Sequence, residues 1–291
     1  METQELLRKV RKIEIKTRGL SNQIFSGEYH SAFKGRGMAF SEVREYQPGD
    51  EIRTIDWNVT ARLGNPYVKV FEEERELTVM LMVDLSASGQ FGVHQQRKKD
   101  QLIEICAVLA FSAIQNNDKI GVIFFTDQVE KFIPPKKGRT HILRSIREVL
   151  EFEPEHKGTD VAEALRYLTS AIKKRSTAFL LSDFQSADYE SALKIANKKH
   201  DLVALRVFDP GELELPAMGL LPLRDLESGQ RRWVNTFSKR VRREFAARAA
   251  QTRHRMEDTC RKAGVDYTHI ATNQSYVPPL MGLFKKRESR R

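Results

Sequence analysis

The chain has 291 residues, 40% of them hydrophobic and 30% charged, which is length enough for one large domain or two smaller ones around a sizeable core. Its longest apolar stretch near the middle, residues 105–114, is too short to cross a bilayer, and two cysteines exclude a disulfide framework. The net charge of +10 is lopsided: residues 231–291 hold 16 Lys and Arg against 5 Asp and Glu, and the preceding 230 residues hold 33 against 34.

In chain order, residues 3–16 place Leu6, Val10 and Ile13 on one stripe, which predicts a helix that packs on something. Glu2, Glu5, Arg8, Lys9, Arg11 and Lys12 crowd the place where a secretion signal would carry its apolar core, so a cytoplasmic protein with no membrane partner is expected. Residues 19–62 mix glycines, isolated aromatics and charges without a period. Such a segment cannot bury itself and is expected to lie across the main domain. Residues 67–76 alternate as a strand.

Residues 77–84 are an unbroken apolar run that stops at Asp84, the pattern of a strand buried on both faces. Asp84, Ser86 and Ser88 follow at every second position, so their oxygens can converge just outside the carboxyl end of that strand, where open parallel sheets bind ligands. One carboxylate and two hydroxyls suit Mg2+, with Mn2+ or Ca2+ as substitutes. The same residues would also cap a strand-to-helix turn.

Further on come a helix over 101–116 and strands over 119–126 and 128–133, the last at the sheet edge. Helices over 140–152 and 160–174, a strand over 177–182, a helix over 189–199 and a strand over 202–208 follow. Thr159 precedes the second of those helices, where Asp160 and Glu163 read as a capping box. Asp183 ends another apolar run and could be a plain turn former. Residues 220–234 look like a hairpin turning at Ser228 and Gly229. A basic helix over 238–263 carries Val241, Phe245, Ala249, Met256, Cys260 and Ala263 on one stripe and ends at Gly264; a last strand covers 265–270. Residues 285–291 read as a frayed basic tail. Strands alternating with helices predict an α/β fold with a mostly parallel sheet covered on both faces.

A strand ending in Asp-x-Ser-x-Ser, a Gly-Thr at a helix start and a second strand ending in Asp form an ordered set. It resembles the metal-ion-dependent adhesion site of von Willebrand factor A domains. The resemblance maps Asp84, Ser86, Ser88, Thr159 and Asp183 onto its five ligand positions, and it departs at Gly89, where many members place Met. Upstream, residues 35–50 (GRGMAFSEVREYQPGD) and 53–62 (RTIDWNVTAR) are similar to the signature of the bacterial domain-of-unknown-function family fifty-eight. The two resemblances together cover residues 35–284. They imply a Rossmann-like von Willebrand factor A domain over 76–284, an amino-terminal extension over 1–75 packed on it, and a tail over 285–291. They also imply a MoxR-type AAA+ ATPase as partner and a role in assembling or maturing other proteins.

Enzyme signatures are missing from the sequence: it holds no dinucleotide fingerprint, phosphate-binding loop or Gly-x-Ser-x-Gly elbow, and its seven histidines show no ligand spacing. The adhesion-site resemblance implies binding instead, with a partner's Glu or Asp completing the shell of the Mg2+. Arg44, Asp50, Arg53, Asp56, Trp57 and Arg62 either form buried ion pairs that pin the extension or frame the rim that chooses the partner. Two rivals are a metal-dependent hydrolase using the same carboxylates and a nucleic-acid binder working through the basic helix. The second is disfavoured because no aromatic residues interleave with that helix's charges. Cys106 and Cys260 read as small buried residues.

Overall fold

The computed structural model describes residues 38–73, 77–92, 97–226 and 229–289. The helix expected over 3–16, residues 35–37 of the signature, Ser228 of the hairpin turn and residues 290–291 lie outside the described residues. The described residues divide into a small unit, 38–77, and a main unit from Thr78 onward.

In the small unit, β1 (Met38–Glu45) pairs antiparallel with β2 (Tyr67–Glu73), with a register shift between Phe40 and Glu42. Between them runs α1 (Trp57–Leu63). Asp56 caps it by accepting from the amides of Asn58 and Val59, and Gly64 ends it at φ +82°. Residues 38–62 therefore carry a strand and a helix of their own, although their sequence shows no period. The strand's partner lies more than twenty residues downstream, so no local pattern announces it.

The main unit holds a six-stranded sheet in the order β10-β7-β6-β3-β4-β5. Here β3 is Thr78–Asp84, β4 Lys119–Phe125, β5 Val129–Lys136, β6 Thr177–Ser182, β7 Asp201–Phe208 and β10 Asp266–Ala271. Every pairing is parallel except β4 with the edge strand β5. The chain leaves β3 towards β4 and leaves β6 towards β7, so winding reverses between β3 and β6. A crevice opens there at the strands' carboxyl ends.

Helices cover both faces, which is why the central strands read as continuous apolar runs. One face of the sheet, with Met80, Met82, Ile123 and Leu180, packs on α4 (Val161–Ala171), α5 (Glu190–Lys199) and α6 (Lys239–Ala263) through Leu165, Leu168, Leu193, Met256 and Cys260. On the other lie α2 (Lys98–Gln115), buried almost all round, α3 (Arg139–Glu151) and α7 (Val277–Glu288), whose Phe284 meets Phe179 edge-on at 6.5 Å. Cys106 and Cys260 are buried thiols, and burial pushes that of Cys260 up to about 12. No helix among the described residues is long and apolar enough to cross a membrane.

The tail expectation fails at α7. Leu280, Leu283, Phe284 and Arg287 are buried, so residues 285–288 finish a packed helix and do not fray. Three cations in its last turn complement the helix dipole; Lys285 and Lys286 are exposed and Arg287 is buried.

Gly121 in β4 has no room for a side chain, because a Cβ there would stand 2.8 Å from the Ile133 carbonyl oxygen and 2.8 Å from the Met80 sulfur. Gly121→Ala is expected to destabilise the protein by about 2 kcal/mol in urea unfolding.

Candidate metal and partner site

Asp84 ends β3 and Asp183 follows β6, so the two carboxylates come from the strands that flank the winding reversal. Val83 pairs with Leu181, which sets Asp84 beside Ser182. The Ser182 hydroxyl donates to Asp84 Oδ2 at 2.5 Å, and the Ser86 amide donates to Oδ1 at 2.9 Å. Ser86 and Ser88 hold their hydroxyl oxygens 3.0 Å apart. Asp183 Oδ1 accepts from the Gln185 amide at 3.0 Å. The turn is tight enough to force Phe184 to φ +60°, a costly conformation for a bulky side chain, and the Phe184 amide donates to the Ser182 hydroxyl.

Asp84, Ser86, Ser88 and Asp183 thus line one small cavity with Lys98 and Ser182. Thr159 is half-buried in the neighbouring loop and is not among the residues lining that cavity. Its loop is tied to the site by the Ala87 amide, which donates to the Lys157 carbonyl at 3.1 Å, and by the Asp160 amide, which donates to the Thr126 carbonyl at 2.8 Å. Asp160 also accepts from the Glu163 amide, the cap read in the sequence. Glu130 on β5 fixes the same loop by accepting from the Thr126 hydroxyl and the His156 amide. Glu130, Glu155 and His156 could hold a metal by their spacing, but those bonds already employ the Glu130 carboxylate.

The electrostatics are unequal. Burial and the neighbouring Asp183 push Asp84 up to about 7, so its carboxylate sits in the crevice short of positive charge. Asp183 stays below the ordinary carboxylate range; burial works to raise it, and the Lys98 ammonium, 2.8 Å away, more than offsets that. Lys98 is buried and also meets Glu212 Oε1 at 2.5 Å. Buried Arg206 donates to the Asp183 carbonyl at 3.4 Å. Lys98, Ser182, Arg206 and Glu212 were not singled out in the sequence. A lone Arg in the apolar run of β7 was a usable signal; Lys98 stood inside the run Arg97, Lys98, Lys99 and carried none.

Outside the crevice, Asp84 and Ser86 open onto a groove of about 530 Å³ whose wall includes Lys99, His156, Lys157 and Arg224. Arg224 belongs to the hairpin β8 (Leu220–Arg224) and β9 (Arg231–Asn235). Trp233 and Phe237 are exposed there beside Arg231 and Arg232. This places exposed rings next to the basic helix, which the sequence reading did not register.

None of the six charged and aromatic residues of the small unit is fully buried, and the ion pairs among them are partly exposed. Arg44 forks onto Asp50 with two bonds of 2.7 Å, and Asp56 caps α1 while pairing with Lys69 at 3.4 Å. These bonds shape the unit locally. Arg53, Trp57 and Arg62 are exposed, Trp57 to 67%. Trp57→Ala is therefore expected to leave stability within about 0.5 kcal/mol, as a melting curve would show.

A family profile described as "Protein of unknown function DUF58" matches residues 42–255. An uncharacterized protein of Mycobacterium tuberculosis is 29% identical over 284 residues, covering 96% of this chain and 88% of that one. An uncharacterized Bacillus subtilis protein, YeaD, is 26% identical over 107 residues, 37% of this chain and 25% of its own. The crystal structure of an aerotolerance-related membrane protein from Bacteroides fragilis, with multiple mutations to serines, aligns over 74% of this chain and all of that one. The TM-score is 0.50 at 14% identity. The likeness extends to the fold, a mostly parallel sheet flanked by helices.

Proposed function

The chain belongs to the DUF58 family, and on that premise we propose that it is a protein-interaction module, without catalytic turnover, that binds through Mg2+ at the carboxyl ends of β3 and β6. The observation that carries this reading is the Asp84 carboxylate, buried against Asp183 and hydrogen-bonded by two neutral donors, with the Ser86 and Ser88 hydroxyls beside it. Hard oxygen donors around an unbalanced negative charge fit a small dication. Asp84, Ser86 and Ser88 would hold it, with Asp183 and Thr159 supporting. Bound there, the ion would supply a Lewis-acidic position for a carboxylate from a partner's Glu or Asp. The chain's own part is to keep the carboxylates dry and fixed. Its groove, walled by Lys99, Lys157 and Arg224, favours the approach of an acidic group.

From the family resemblance, the proposed partner is a MoxR-type AAA+ ATPase; the cytoplasm is the proposed site of action. The test is capture of the purified ATPase by this protein with Mg2+ or with chelator, using the parent and Ser86→Ala. Mg2+-dependent capture lost in the variant is the expected result; equal capture under chelator sinks the reading.

A second reading rests on Trp233 and Phe237, exposed beside arginines as in surfaces that stack single-stranded nucleic acid. It requires oligonucleotide affinity that falls steeply with salt and is lost in Trp233→Ala.

A further inference from the structure

Lys98 stands in the first turn of α2, where the helix dipole disfavours a cation. Its side chain is nevertheless buried, and its ammonium is shared between two acids, Asp183 after β6 and Glu212 after β7. Around it stand Arg206 on β7 and, beyond Asp183, Asp84 on β3. One ammonium cannot neutralise both of its acids fully, and burial leaves Glu212 raised above its ordinary range. A buried ion pair of this kind gains little for folding over well-packed apolar groups. Its position is informative instead. The ammonium lies against the carboxylate that would support a dication, and Glu212 already holds it from the other side, so it can leave Asp183 without losing its second partner.

We infer that Lys98 is a tethered cation that competes with a divalent metal ion for Asp183, and that Glu212 is the seat to which its ammonium withdraws when the ion enters. This rests on the metal reading above. A dication at Asp84 repels an ammonium held on Asp183, and the repulsion is relieved when Lys98 pairs with Glu212 alone. Because both seats lie in the reach of one flexible side chain, the exchange needs side-chain torsions and no rearrangement of the sheet. It makes the metal affinity a difference between two cations' claims on one carboxylate.

The test is Mn2+ binding to the full chain, read by the loss of the free ion's electron paramagnetic resonance signal and by calorimetry. Lys98→Met is expected to bind Mn2+ at least about tenfold more tightly than the parent, because the competitor is gone. Glu212→Gln is expected to bind about threefold or more weakly, because the ammonium then keeps to Asp183. In the Lys98→Met background, Glu212→Gln should change affinity less than about twofold, since its effect runs through Lys98.

Unchanged affinity in Lys98→Met overturns the inference, and so does an equal effect of Glu212→Gln in both backgrounds. If Lys98→Met does not fold, Glu212→Gln decides: weaker binding supports the exchange, and unchanged or tighter binding refutes it. Should the parent bind Mn2+ and no variant differ, the lysine inference falls and the metal reading stands. Binding confined to Lys98→Met upholds the lysine as competitor and removes the Mg2+ reading for the native chain; binding in none overturns both.

Discussion

Asp84→Asn is expected to make the metal-free protein more stable at about pH 8, by on the order of 2 kcal/mol, and to abolish the stabilisation by Mg2+ that the proposed site predicts for the parent. The sign follows from the folded carboxyl at about 7 against an ordinary 3.8. Between those values the folded state holds a proton that the unfolded state has released, so stability falls as pH rises through the window and the loss is complete above it. A shift of that size corresponds to at most roughly 4 kcal/mol, and the disturbed Ser182 bond returns about 1 kcal/mol of it. At about pH 4 the gain from Asn should vanish, because the carboxyl is then largely protonated when folded and half-protonated when unfolded.

His200, which burial pushes down to about 4, titrates in the opposite sense over much of the same range, so the parent's own pH curve is a sum of both. The difference between parent and variant cancels it. Urea unfolding of both proteins at about pH 4 and about pH 8, each with and without Mg2+, separates the two effects. A variant less stable than the metal-free parent at the higher pH would mean that the anionic carboxylate stabilises the fold, and the metal-shaped charge deficit would not exist.

What the sequence disclosed follows from how each residue is satisfied. The runs ending in Asp84 and Asp183 were legible because strands covered on both faces must be apolar throughout, and a carboxylate at the end of such a run has few other places to go. Ser86 and Ser88 were legible by spacing. Lys98, Ser182 and Glu212 were not, since each acquires its meaning from a partner more than eighty residues away: Ser182 from Asp84, and Lys98 with Glu212 and Asp183 from each other. The small unit was illegible for the same reason. β1 pairs with residues 67–73, far downstream, and its register shifts between Phe40 and Glu42, so no unbroken local period marks it. The end of the last helix was illegible because one buried arginine, Arg287, sits in a run whose other charges are exposed.

Arg287 carries that lesson into energy. Its guanidinium is 7% exposed and forks onto Asp201 at 2.6 and 2.5 Å and onto Asp266 at 3.0 Å, joining α7 to the first residues of the neighbouring strands β7 and β10. Arg287→Ala would leave two carboxylates facing each other at the end of the sheet with their shared cation removed. Both keep about a fifth of their surface in water, 23% for Asp201 and 21% for Asp266, so hydration softens the penalty. A loss of roughly 3 kcal/mol is expected, at the low end for breaking a buried pair. Arg287→Lys should recover less than half, because an ammonium cannot fork onto two acids. By contrast, Arg240→Ala on α6, whose pair with Glu244 is 88% and 52% exposed, should leave the urea midpoint unchanged within error. Urea unfolding of the three variants ranks them. If Arg287→Ala costs no more than Arg240→Ala, then α7 is held by Leu280, Leu283 and Phe284 alone, and the forked arginine is incidental to the end of the fold.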